Sequence, residues 1–185
     1  MALLAAAVRV GVTGELSVAP VGTAAPTTSV SSLNASFVGL GYVSEDGVTE
    51  SYDDTIEEIV AWQNAVVVRA NTTQSKCTLQ LTLIETKGKT LELFHKASAV
   101  SVVSSGQWKI DVEGPQSDPR AFVLDVIDGS KHIRLYVANG EVTERGDIKY
   151  ANGEPVGYDI TITCYPDSSN IVLTKFSDDT NWGYS

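Results

Sequence analysis

The residues able to do acid–base, metal or nucleophilic chemistry are few in this chain and far apart. His95 and His132 are its two imidazoles. Neither stands in a spacing with other His, Cys, Asp or Glu that would build a zinc site or a Ser-His-Asp relay. Cys77 and Cys164 lie 87 positions apart, which is neither a metal motif nor a disulfide framework. Each follows strand alternation on an apolar face, so both are expected as buried, reduced thiols. There is no P-loop, no dinucleotide-binding glycine pattern and no nucleophile elbow, and Gly11-Val12-Thr13-Gly14 is ordinary turn chemistry. The acidic run Glu45, Asp46, Glu50, Asp53, Asp54, Glu57 and Glu58 lacks the spacing of a calcium loop. The sequons at Asn34 and Asn71 carry little weight without a secretory signal. These absences point to no cofactor, no metal and no catalysis, and favour a structural or binding role.

The composition agrees. Val, Ile and Thr make up 50 of 185 residues, against a single Met and scattered Leu, so a mainly β chain is expected. A net charge of −10 disfavours adhesion to nucleic acid or to an anionic membrane, because affinity there comes from Lys and Arg displacing counterions. No apolar run approaches the roughly 20 residues needed to span a bilayer, and the start MALLAAAVRVGVTG lacks a basic leader region. A soluble chain, cytosolic at synthesis, is expected.

The elements that must position any functional surface read as follows. Val8, Val10 and Val12, a turn at Thr13-Gly14, and Leu16 to Val18 suggest an opening hairpin. Residues 19–34, with two prolines and no periodicity, suggest an extended arm, and Phe37 to Val43 a strand. The acidic stretch 45–63 reads as a solvated loop, or as a helical turn capped by Thr55 and Glu58. Ala65 to Thr72 and Lys76 to Thr86 suggest a hairpin turning at Asn71 to Ser75. Gly88 to Ala97 is the best helix, with Leu91, Phe94 and Ala97 or Ala99 near helical spacing. Further strands are expected at 99–104, 108–112, 120–127, 131–138, 147–150, 156–165 and 171–176, with turns at Asp128-Gly129, Asn139-Gly140 and Asn152-Gly153. The tail 177–185 is polar and carries Trp182 and Tyr184. Together these predict one domain over 1–185, a β-sandwich or partial barrel with one flanking α-helix.

The segments APVGTAAP at 19–26, GLGYVSEDGV at 39–48, DDTIEEIVAWQNAVVVR at 53–69 and the helix KTLELFHKA at 89–97 follow one another in an order that is distinctive. That order resembles the major tail tube proteins of long-tailed, siphovirus-like bacteriophages. The block Ile59-Val60-Ala61-Trp62-Gln63-Asn64 is the most specific of these segments. The resemblance is clearest over residues 1 to about 97. It implies a virion protein, assembled in the host cytoplasm, whose six copies form a ring with a shared lumen β-barrel. Rings stacked into a tube would pass DNA without binding it specifically, with a tape measure protein and a tail terminator as further partners.

The residues themselves fit that picture at three points. Alternating polar faces suit a wall that is wet on one side and core on the other. An acidic chain would not trap a polyanion in transit. Open sheet edges, hazardous in a soluble protein, are removed by pairing with a neighbour. Candidates for the lumen face are Arg69, Asn71, Thr78, Gln80, Thr82, Lys109, Asp111, Glu113, Asp159, Thr161 and Thr163. Candidates for contacts between rings are Glu45, Asp46, Asp53, Asp54, Glu57, Glu58 and Trp62, with Trp62 as anchor. Two alternatives remain. One is a terminator or neck protein that forms rings and stops. The other is a carbohydrate-binding sandwich using Trp62, Trp108, Trp182 and Tyr184 as stacking platforms.

Overall fold

A computed structural model describes residues 4–96, 98–114 and 116–183, and within them ten strands and one α-helix. The strands are β1 (Thr13–Pro20), β2 (Val38–Gly39), β3 (Val43–Val60), β4 (Val67–Leu83), β5 (Val100–Ser104), β6 (Gln107–Ile110), β7 (Arg120–Asp128), β8 (Lys131–Arg145), β9 (Tyr158–Tyr165) and β10 (Thr174–Ser177), and the helix is α1 (Gly88–Phe94). The mainly β expectation and the single helix hold. Eight strands form one sheet in the order β2-β1-β7-β8-β9-β4-β3, with β10 on β8 and every pairing antiparallel. The β5–β6 ribbon stands apart as a second sheet.

The long strand β8 serves two leaves. Its first half, Ile133 to Tyr136, takes β10 on the edge where its second half, Asn139 to Arg145, takes β9. The change-over falls at Gly140, whose missing side chain leaves room for the Phe122 ring: a Cβ there would sit 3.0 Å from it and 3.2 Å from Ile162. Leu16, Val18, Phe122, Leu124, Leu135 and Val137 of one leaf and Leu79, Leu81, Leu83, Ile160 and Ile162 of the other share one buried cluster. Leu93 and Phe94 of α1 join it, with Phe94 edge-on to Tyr158 at 5.5 Å. Across the rim, Lys175 of β10 reaches Glu50 of β3 at 2.8 Å.

Several expected elements differ. There is no opening hairpin: Gly14 lies inside β1, opposite Val126, where a Cβ would stand 2.5 Å from the Asp125 carbonyl oxygen. Val12 instead runs on along β7, its N–H donating to the Ile127 carbonyl at 3.1 Å. The Phe37 to Val43 strand shrinks to β2 because Gly41, at φ +88, turns the chain away. Residues 45–63 are not a loop or a helical turn, for β3 runs through them to Val60. Asn71 to Ser75 is not a turn, for β4 is continuous through it. Asn139-Gly140 lies within β8, and 147–150 is not a strand.

The 21–34 segment is not a free arm. It folds back on the first leaf, where Arg134 donates to the Thr28 and Ser31 carbonyls at 3.1 and 2.7 Å while gripping Asp125 with two nitrogens at 2.6 and 3.0 Å. Ala97 and Tyr184, named above in the helix and the tail, lie outside the described residues.

Candidate functional site: a polar sheet face and a projecting hairpin

The second leaf has one buried and one wet face because β4 and β9 alternate. Cys77, Leu79, Leu81 and Leu83, with Tyr158, Ile160, Ile162 and Cys164, point into the core. Thr78, Gln80 and Thr82 point the other way, and the register sets them opposite Thr163, Thr161 and Asp159. Six of the residues expected on a lumen wall therefore share one patch. Neighbouring strands extend it: Thr49 and Ser51 of β3 lie opposite Gln80 and Thr78, and Glu141 and Glu144 of β8 lie opposite Thr163 and Thr161. Thr163 is the buried member, its hydroxyl 2.7 Å from that of Thr143 at a β8 bulge.

Arg69 and Asn71 join this face through a second irregularity. In an uninterrupted strand, odd positions 69 and 71 would point opposite to even positions 78, 80 and 82. Thr55 pairs with Gln74 and Ile56 with Thr72, so Thr73 is one residue too many on β4. The extra residue resets the alternation, and Asn71 and Arg69 fall opposite Glu57 and Ile59, which share parity with Ser51 and Thr49. Lys109, Asp111 and Glu113 do not belong here. Lys109 sits on β6, pairing Ser101, and bonds to Asp111 at 2.5 Å on a ribbon separate from the main sheet.

Beyond the Cys77–Cys164 rung β4 loses β9 as a neighbour, and β3–β4 continues alone as a two-stranded arm. At ~3.3 Å per residue it projects about 25 Å past the three-stranded region. Asp53 and Glu57 lie on its polar face, opposite Lys76 and Asn71; Asp54 and Glu58 lie on the other, opposite Ser75 and Ala70. Every residue from Ser51 to Val60 is exposed. The tip from Ala61 to Val68 is uncharged, with Trp62 96% exposed and Val66, Val67 and Val68 also open. Asn64 and Ala65 both take positive φ there, 57° and 50°. Glu45 and Asp46 stand at the opposite end of β3, in a bulge between Val43 and Val48, beside a cavity of about 470 Å³ whose walls include Thr13, Tyr42 and Val126. The residues expected to join rings thus divide between the two ends of one strand.

At the arm's root the Tyr52 hydroxyl donates to Glu50, which pushes the phenol pKa well above its usual value. The tail is tied down near the β7–β8 turn. Asp178 accepts from the His132 backbone N–H at 2.8 Å and meets His132 Nδ1 at 2.9 Å, and these contacts, the backbone bond first, hold its carboxyl below the ordinary range. Asp179 accepts from Asn181 N–H at 3.0 Å and pairs with Arg9, and is lowered likewise.

Trp62, Trp108 and Trp182 occupy three separate elements, the arm tip, β6 and a C-terminal 3₁₀ turn. Among the described residues no group of three or more His, Cys, Asp or Glu could hold a metal ion, and no helix is long and apolar enough to cross a membrane.

A family model described as phage tail tube protein matches residues 1–184. No curated protein matches the chain.

Proposed function

The chain belongs to the phage tail tube protein family, and from that premise we propose that it is the structural subunit of a virion tail tube. Six copies close into a ring, rings stack into a tube, and the tube is the conduit for DNA ejection. The observation that carries this reading is the arm. A two-stranded ribbon alone in water is marginally stable, and this one ends in an uncharged tip bearing Trp62 and three valines. Such a segment orders on a neighbour, and the Trp62 tip meets the adjacent ring while Glu45 and Asp46 mark the other end of the same strand.

The edge of β3 supports ring closure. Among the described residues it is the last strand of the sheet, 18 residues long, with its outer edge unpaired. Glu50, Asp53, Asp54, Glu57 and Glu58 line that strand, so two β3 edges brought together would oppose like charges. An edge that meets a different edge of the next copy makes a head-to-tail contact, the kind that closes into a ring when its rotation divides a full turn.

The wet face of Thr78, Gln80, Thr82, Asp159 and Thr161, with Arg69 and Asn71 beyond the bulge, lines the lumen. It offers polar groups and little positive charge, so a duplex slides past without counterion-releasing capture. A tape measure protein filling the lumen and a terminator on the last ring complete the expected partners.

Size-exclusion chromatography with light scattering, followed by negative-stain microscopy of the full chain over several days, tests the reading. Stacked rings or tubes are expected. Rings that never stack would make the protein a terminator, and a chain that stays monomeric even with preformed tail tips would contradict assembly altogether.

A further inference from the structure

We infer that Cys77 and Cys164 are a latent disulfide pair that closes at the root of the arm when the protein meets a soluble disulfide. Placement comes first. These are the chain's two cysteines, and the fold makes them direct cross-strand partners on β4 and β9. Opposed residues of antiparallel strands have Cα atoms about 4.5–5.5 Å apart, inside the range of about 4.4–6.8 Å that a disulfide spans. The two thiols are close enough for each to shift the other's titration. Their rung reads Tyr52, Cys77, Cys164, Gly140 across four strands, so Gly140 puts no side chain on the far side of Cys164.

Access follows from position. Both cysteines are 5% exposed in the closed fold. Their rung is the last on which β4 and β9 pair, and Cys164 is the penultimate residue of β9. Strand ends next to a two-stranded ribbon open at low cost, which admits a small reagent without global unfolding. Burial raises both thiol pKa values, which makes exchange with a small disulfide slow, and an excess of cytoplasmic thiols keeps the pair reduced. A protein that leaves the cell in a virion meets the oxidising medium in which disulfides persist.

The exchange balances. The Cys77 thiolate attacks one sulfur of the small disulfide and expels a small thiolate, leaving a mixed disulfide. The Cys164 thiolate then attacks the Cys77 sulfur, forms the intramolecular S–S bond and expels the second small thiolate. The two cysteine protons end on the two released thiols. The bond fastens β4 to β9 where the arm leaves the body and restricts the unfolded chain's freedom between two residues 87 positions apart.

The test uses the full chain treated with oxidised glutathione and is independent of tube formation. Intact mass under non-reducing, denaturing conditions should fall by two hydrogens, with no alkylatable thiol left. The melting temperature should rise by about 10 °C and return on reduction. Cys164→Ser should show neither effect. Thiols that stay alkylatable, a persistent glutathione adduct on the wild type, disulfide-linked dimers, or a melting temperature that does not rise would each overturn the inference.

Discussion

Asn71 and Thr78 face the same side of β4 although an odd number of steps separates them, because Thr73 is an extra residue with no partner on β3. That one insertion carries the polar face from the body of the sheet out along the arm. Were Thr73 paired in an unbroken ladder, Arg69 and Asn71 would turn to the face opposite Thr78, Gln80 and Thr82.

Inserting one serine between Thr55 and Ile56, which gives Thr73 a partner and restores unbroken alternation along β4, is therefore expected to leave the body folded, since the arm contributes nothing to the buried cluster, and to invert the arm's two faces. The melting temperature should move by no more than a few degrees while ring or tube formation, scored by negative-stain microscopy, is lost. Normal tubes from the insertion would show that the arm's facing does not matter.

Trp62→Ala separates folding from assembly. The side chain is 96% exposed, so the isolated chain should lose no measurable stability to urea. If the indole anchors one copy on another, its loss should cost about 2 kcal/mol per contact, a roughly thirtyfold rise in the concentration needed for assembly. Light scattering against concentration reads this directly.

Arg134→Met tests the staple over the first leaf. The change leaves Asp125 without its guanidinium and the Thr28 and Ser31 carbonyls without their donor. A loss of about 3 kcal/mol is expected from urea titration, seen as a lower midpoint.

The clasp on the C-terminal segment has a definite pH sign. Asp178 and Asp179 are held below their unfolded value by His132, Asn181 and Arg9. Their contribution is therefore complete above the unfolded carboxylate pKa of about 4 and is lost as pH falls through the lowered values. Hydrogen exchange should show residues 177–183 losing protection below about pH 4 before β7 and β8 do. Protection that is flat down to global unfolding would contradict it.

What could be read from the chain alone follows burial. The alternation in 77–83 and 158–165 is clear because one face of each strand packs in the core, and the pairing of Thr78, Gln80 and Thr82 with Thr163, Thr161 and Asp159 rests on that alternation. β3 and the outer half of β4 are wet on both faces, so DDTIEE and NTTQS carry no period and read as loop and turn. What makes them strands is the register between them, a long-range fact. Gly-bearing pairs show the same limit: Asp128-Gly129 and Asn152-Gly153 turn the chain, whereas Asn139-Gly140 lies within β8 beside the Phe122 ring. Arg134 and its partner carbonyls are 103 and 106 positions apart, and nothing local announces that contact.

The central claim is that the Thr78, Gln80, Thr82, Asp159 and Thr161 face becomes the inner wall of a polymer of this chain. Electron cryo-microscopy of the assembled material tests it most directly. The account predicts a tube of stacked rings with those five side chains on the lumen and the Trp62 tip against the next ring. A tube with that face on its outer surface, or sealed between subunits, would contradict it.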